Sequence, residues 1–348
     1  MASGKNPTGN LKPMSTRRNP LAGIAMSGPD DEEKWKESVC STLTGEQLAG
    51  TARGGNVILA LEHPRGWGRD ILDGEALGAE LSQQIKKFIK SHRAQLQFIR
   101  QPGRAGQHHE ADDLRPLLYI SWSAGVGDPA QPVLERMRVD GPESLLELDL
   151  SQPGNTPGAE RVEHPVLLVC THGRRDLCCA VWGRPLASDL SEKWPRDYVW
   201  ETSHTKGHRF APATMLLPGN YSYGRNAVNS ASEILEYAQR GELWLQGNRG
   251  RGVWDGPGQV AELAAGRMLH DAGKTVPLAG LQISALESQP GDKRRATREV
   301  QDGATGRRWL VELESRPSVM AKGSCGDKPK RVSSWVVLDV QEVLESGR

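Results

Sequence analysis

The sequence predicts an α/β protein made of two related β-α-β halves followed by a smaller α+β piece. Short, nearly all-apolar runs at NVILAL (56–61) and VLLV (166–169) read as strands buried on both faces. Each is followed by a stretch of helical periodicity and then by another strand-like run. Laid over each other, NVILALEHP and PVLLVCTHG match in pattern, as do LGAELSQQI and LASDLSEKW, which is the mark of an internal repeat. In that overlay Cys170 falls at the place of Leu61.

Taken in order, residues 1–33 hold four basic residues, no acid before Asp30, and many Gly, Pro, Ser and Asn, the composition of a disordered tail. No amphipathic pattern there supports a transit peptide, and no apolar core suggests a signal peptide. Asp30 to Glu46 looks like a charged helix start running into a loop. Within Leu77 to His92, Leu77, Leu81, Ile85 and Ile89 fall at helical spacing. Gln95 to Arg100 alternates like a strand, PGR turns the chain, and Leu117 to Trp122 offers another strand. SQPGNTPGAE at 151–160 reads as a linker. In the second half, Val166 to Val169 is a strand, Leu186 to Trp194 a helix and Tyr198 to Trp200 a short strand. Met215 to Leu217 and Tyr221 to Tyr223 suit a hairpin, and Ala231 to Arg240 a closing helix. Beyond Gly256, Gln259 to His270 reads as a helix, with strands at Leu281 to Leu286, Arg308 to Glu314 and Trp335 to Val340.

The totals narrow the function. A chain of 348 residues has room for two or three domains. With 44 basic against 43 acidic residues there is no electrostatic case for nucleic acid. No apolar run reaches membrane-spanning length. Five cysteines, an odd number in a large chain, argue against a disulfide-stapled secreted protein and for a reducing cytoplasm. There, clustered cysteines favour metal or redox chemistry, and Cys170, Cys178 and Cys179 fall within ten residues.

Thiolates and imidazoles that converge on one point can hold a metal or a cluster. Cys170 sits at the carboxyl end of a buried strand, where open α/β sheets place ligand sites. Cys179 follows after a loop, giving C-x8-C, and His204 and His208 follow the next strand as H-x3-H. Gly207 between the histidines permits an irregular loop. The two loops can then face each other at one end of the sheet, and Cys170, Cys179, His204 and His208 form the candidate set. Cys178 could replace Cys179 or be a spare thiol. His172 suits a turn or a supporting role better than a ligand.

CTHGRRDLCCA, HTKGHRFA and LPGNYSYGR resemble the signature blocks of the sucrase/ferredoxin-like family, relatives of the thioredoxin-like [2Fe–2S] ferredoxins. GTARGGNVILALEHPRGWGRDIL and FIRQPGR fit upstream blocks. The resemblance runs from about Lys34 to Arg251, and more loosely beyond it to the SCG at Ser324 to Gly326. It implies a thioredoxin-like fold. Residues 34–151 would form a unit without ligands, 162–251 the ferredoxin domain, and 256–348 the α+β piece. It also implies a [2Fe–2S] cluster on Cys170, Cys179, His204 and His208, the histidine pair standing where related ferredoxins carry C-x3-C. The doubled Cys178-Cys179 departs from that pattern. Paired carboxylates for glycoside hydrolysis are not evident, so the word sucrase carries no weight.

Two neutral imidazoles in place of two thiolates leave the cluster less negative, which raises its potential and can couple electron uptake to a proton. Lys206, Arg209, Arg174 and Arg175 flank the set and could ease reduction, or simply be solvated. The expectation is an electron carrier rather than a catalyst, working with a redox partner protein and with neither nucleic acid nor membrane. Two other functions compete. A thiol oxidoreductase would need a C-x-x-C that is missing here. A Cys2His2 zinc module would use the same four ligands.

Overall fold

The computed structural model describes residues 39–343 except 44, 65, 105, 107–114, 124–130 and 287–291. The tail at 1–33 and most of the charged start at Asp30 to Glu46 lie outside the described residues, and what remains of the latter opens with a 3-10 turn at Cys40–Thr42. The chain is mixed α/β, with one large mixed sheet and a separate four-stranded sheet.

The first half runs β1 (Val57–Glu62), helix α1 (Ala79–Ser91), β2 (Ala94–Arg100), β3 (Leu117–Trp122), β4 (Val133–Arg138) and a two-residue β5 (Glu160–Arg161). The second runs β6 (Val166–Cys170), α2 (Leu177–Ser191), β7 (Val199–Thr202), β8 (Ala213–Leu217), β9 (Tyr221–Gly224), α3 (Val228–Gln239) and β10 (Asn248–Arg251). In the first half β1 lies parallel to β2 and antiparallel to β3, which leads through antiparallel pairings to β4 and β5. The second half repeats this step for step: β6 is parallel to β7 and antiparallel to β8, then come β9 and β10. The halves are not two separate sheets. They join through antiparallel β2 and β7 into ten strands ordered β10-β9-β8-β6-β7-β2-β1-β3-β4-β5.

Side-chain alternation assigns the two faces. Val57, Leu59 and Leu61 pack with Ile85 under α1, while Leu167 and Val169 pack with Leu186 and Leu190 of α2. On the opposite face Ile58 and Ala60 from the first half share one cluster with Val166, Leu168 and Met215 from the second. Matching strands by face therefore pairs Val57 with Leu167 and not with Val166. The overlay of Cys170 on Leu61 is off by one residue, because a one-residue slip turns every side chain to the other face.

The Gly/Pro-rich stretch at 151–160 is laid down as turns against the first half. Thr156 is buried and donates to the Asp149 carbonyl at 3.0 Å, and the Gly154 N–H donates to Glu135 at 2.6 Å. Helix α2 begins at Leu177 and not at Leu186, with Pro185 inside it, so Cys178 and Cys179 lie in its first turn and not in a loop. The C-terminal piece is α4 (Gly256–Asp271) packed on an antiparallel sheet of β11 (Leu281–Leu286), β12 (Arg295–Asp302), β13 (Arg308–Ala321) and β14 (Lys330–Val343). Its buried Val300, Trp309 and Val311 belong to the same cluster as the core under α2 and α3. No helix among the described residues is long and apolar enough to cross a membrane.

The seam between the halves carries a buried ion pair. Arg100 and Glu201 lie directly opposite in the β2·β7 register, with guanidinium nitrogens 2.7 and 2.8 Å from Glu201 Oε2. Arg100 also donates to the Pro64 carbonyl at 3.2 Å, and Glu201 accepts from Thr171 Oγ1 at 2.9 Å and from the Gly103 N–H at 3.3 Å. Removing one partner strands the other charge away from water. Glu201→Ala should cost about 3–5 kcal/mol in chemical denaturation, and Arg100→Met with Glu201→Leu together should cost much less than the sum of the singles. Additive losses would show that the pair does not act as a unit.

Candidate metal centre

The site forms where parallel β6 and β7 end on the same edge of the sheet. Cys170 is the last residue of β6, and the following loop leads to Asp176, the N-cap of α2. The Asp176 carboxylate accepts the Cys178 N–H at 3.1 Å, satisfying one of the free donors of the first helical turn. This cap fixes the phase of the first turn, and consecutive residues there point about 100° apart. Cys178 and Cys179 consequently face different neighbours. Cys179 Sγ lies 3.3 Å from Cys170 Sγ, whereas Cys178 Sγ lies 3.3 Å from Cys325 Sγ and 3.6 Å from Cys40 Sγ.

After β7 the chain turns back through Lys206, whose φ of 61° is the left-handed conformation that side chains rarely adopt. This reversal, and not a helix, brings the H-x3-H pair together. The rings stack with centroids 4.8 Å apart, and His208 Nδ1 sits 3.2 Å from His204 Nε2. One ligand atom each from Cys170, Cys179 and His204 lies within 4.8 Å of the others. His208 stands outside that group of three and joins it through its contact with His204. Its Nε2 donates to the Gly323 carbonyl in the β13–β14 loop. A carbonyl can only accept, so the Nε2–H is fixed there and the Nδ1 lone pair faces His204. His204 Nδ1 is buried with no hydrogen-bond partner among the described residues.

Charge inside the site is unevenly shared. Contact with Cys179 holds the Cys170 thiol well below its usual range against the cost of burial, with His204 adding to the effect. The same contact, together with burial, holds Cys179 well above. Burial pushes His208 down, which favours the neutral imidazole that metals require. Donors on Cys325 and then Cys40 pull Cys178 down to about 3, and Cys40 is pushed up as the proton holder.

The flanking residues behave differently from one another. His172 reaches away from the sulfurs to the Gly68 carbonyl at 2.7 Å and meets Trp67 edge-on, tying the site loop to the first half. Arg209 forms a two-pronged pair with Glu46 at 2.7 and 2.8 Å, and Arg174 meets exposed Glu75 at 3.4 Å. A charge with no signal in the sequence is Arg249 of β10. It is fully buried over the Phe210 ring, and burial lowers it to about 9 while the Cys170 charge opposes that shift. No local pattern flags it, since its partners, the Thr51 carbonyl at 2.5 Å and the Lys206 carbonyl at 3.3 Å, are distant in sequence. Cys40 and Cys325 give no local signal for the same reason.

Helix α2 can approach Cys170 only because residue 183 lacks a side chain: a Cβ there would lie 2.0 Å from the Cys170 carbonyl oxygen. Helix propensity alone would make Gly183→Ala stabilising by about 1 kcal/mol. The contact with backbone should reverse that sign, giving a net loss of about 1–3 kcal/mol in denaturant titration. A stabilised variant would show that the helix does not press on the strand.

A model of the sucrase/ferredoxin-like family matches residues 48–250, which span β1 to β10 and contain Cys170, Cys179, His204 and His208. No curated protein matches the chain, and no solved structure does. The chain belongs to the sucrase/ferredoxin-like family.

Proposed function

We propose that the chain is an electron-transfer protein that holds a [2Fe–2S] cluster on Cys170, Cys179, His204 and His208. The observation that carries this reading is the pairing of donors. Two sulfurs 3.3 Å apart face a histidine pair with nitrogens 3.2 Å apart, and one of those histidines already has its second nitrogen committed to a backbone carbonyl. Carbonyl-anchored imidazoles of this kind are the usual arrangement around metals. His204 Nδ1 has no hydrogen-bond partner among the described residues, which leaves it available as a ligand atom.

The donor set fits the cluster chemically, with two thiolates for one iron and two neutral imidazoles for the other. A cluster bound there would take up and release one electron. The chain's own residues do the rest. Cys170 and Cys179 are 0% and 1% exposed, so water is kept from the sulfurs. His204 is the half-buried member and offers the edge through which a redox partner protein exchanges the electron. Arg249, held over the Phe210 ring, adds a positive charge that interacts favourably with the Cys170 thiolate. The same burial argues against thiol exchange, since a nucleophilic thiolate must be reachable.

The thioredoxin-like fold is part of the proposal. Each half has a parallel β-α-β unit extended at one edge by an antiparallel hairpin, and the repeat of that order supports two such units, 34–151 and 162–251, descended from one ancestor. The 256–348 piece would then be an addition to them. The odd and clustered cysteines suit the reducing cytoplasm.

Protein purified without oxygen should be brown-red and contain iron and acid-labile sulfide. Cys170→Ala and Cys179→Ala should bleach it, and Cys178→Ala should leave the iron in place, because Cys178 faces Cys40 and Cys325. His204→Cys and His208→Cys should keep a cluster whose potential is lower and less dependent on pH. Unchanged potentials and slopes in both histidine variants would remove the histidines from the site. Bleaching by Cys178→Ala alone would move the thiolate to the neighbouring residue.

A further inference from the structure

Beside the proposed cluster lies a second group of metal-binding residues that a two-iron centre does not use. Cys40, Asp176, Cys178 and Cys325 each present one ligand atom, all within 4.8 Å of one another. The sulfurs of Cys40, Cys178 and Cys325 form a triangle with edges of 3.3, 3.6 and 3.7 Å. Asp176 Oδ1 lies 3.0 Å from Cys325 Sγ and 3.6 Å from Cys40 Sγ. For a tetrahedral zinc ion with Zn–S near 2.3 Å and Zn–O near 2.0 Å, geometry gives S···S edges of about 3.8 Å and S···O edges of about 3.5 Å. The triangle and its carboxylate are thus already close to the size of a closed S3O shell.

We infer that Cys40, Cys178, Cys325 and Asp176 bind a structural zinc ion. The donor chemistry selects the metal. Three thiolates exclude magnesium and calcium, which take oxygen, and a soft monovalent copper would leave the carboxylate unused. A disulfide would draw two sulfurs to about 2.05 Å and leave the third beside a buried carboxylate with nothing to neutralise either. The supporting hydrogen bonds are those that thiolate and carboxylate ligands need. Ser41 Oγ donates to Cys178 Sγ at 3.2 Å, the Cys40 N–H to Cys325 Sγ at 3.4 Å, and the Cys325 N–H to Asp176 Oδ2 at 2.9 Å. All four positions are filled by protein, which marks a structural and not a catalytic centre.

The ion ties together three segments that are remote in sequence: the residues at Cys40, the first turn of α2, and the loop between β13 and β14. That loop also carries Gly323, whose carbonyl accepts from His208 Nε2, and Ser324, whose Oγ lies 3.3 Å from the same nitrogen. Zinc at the second site therefore holds in place the loop that sets the tautomer of His208. The inference about zinc does not depend on what occupies the first site.

The test is the metal content of the full chain, purified under reductant from cells supplied with zinc. About one zinc per chain is expected in the wild type, in Cys170→Ala and in Cys179→Ala, and at least tenfold less in Cys40→Ser, Cys178→Ser and Cys325→Ser. Since a ligand variant can fail to fold, zinc-edge X-ray absorption of the wild type is the second measurement, and it should show three sulfurs and one light atom. Zinc missing from the wild type, zinc that leaves with Cys170→Ala instead of Cys325→Ser, a shell of two sulfurs and two light atoms, or a Cys178–Cys325 disulfide would each overturn the assignment.

Discussion

The Asp176 carboxylate is the constraint on which the rest of the site depends. It is 4% exposed and caps α2 at the Cys178 N–H, and it also takes the Cys325 N–H and faces His208 Nε2 at 3.9 Å. Burial pushes its pKa up, so its ionised form relies on these donors. One side chain thereby sets the rotation of the helix, the position of the β13–β14 loop and the electrostatics of the histidine pair. From the rotation follows the split of two adjacent cysteines between two neighbouring groups, which is the feature that distinguishes this centre from a simple four-ligand site.

The sheet explains why such a site can exist at all. A parallel pair of strands brings two loop-bearing carboxyl ends together, and the close approach at Gly183 lets the helix deliver its first turn to the end of β6. The first half has the same strand order and a comparable helix, yet it presents no cysteine or histidine cluster among its described residues. Its contribution is support. His172 reaches Gly68, Arg100 holds Glu201, and Glu201 in turn accepts from Thr171 in the loop after β6. A buried charged seam joins the two halves, so the scaffold of the site spans both of them.

Much of this was legible in the sequence, and the limits have physical causes. Apolar runs such as NVILAL and VLLV were readable because strands buried on both faces need no alternation. Cys170, Cys179 and His204, which the fold brings together, carry a local signal in their spacing, although Cys179 stands in the first turn of α2 and not in a loop. The start of α2 was not, since Pro185 usually marks a helix boundary and the capping Asp176 sits in a charged run that reads as loop. Strands β10 and β12 give no apolar signal because NRGR and RATREVQD are polar, and their burial comes from α4 and the neighbouring strands. The partners of Cys178 could not be found at all by spacing. Cys40 and Cys325 come from opposite ends of the chain, and only the folded core brings them within reach.

In the proposed centre at the end of β6, both histidines bind iron. Pulsed electron paramagnetic resonance of the dithionite-reduced protein, with histidine labelled by nitrogen-15, tests it most directly. Two directly bound imidazole nitrogens should give two couplings, one of which vanishes in His204→Cys and the other in His208→Cys. A reduced centre with no strongly coupled histidine nitrogen, or a protein with no iron signal at all, would contradict it.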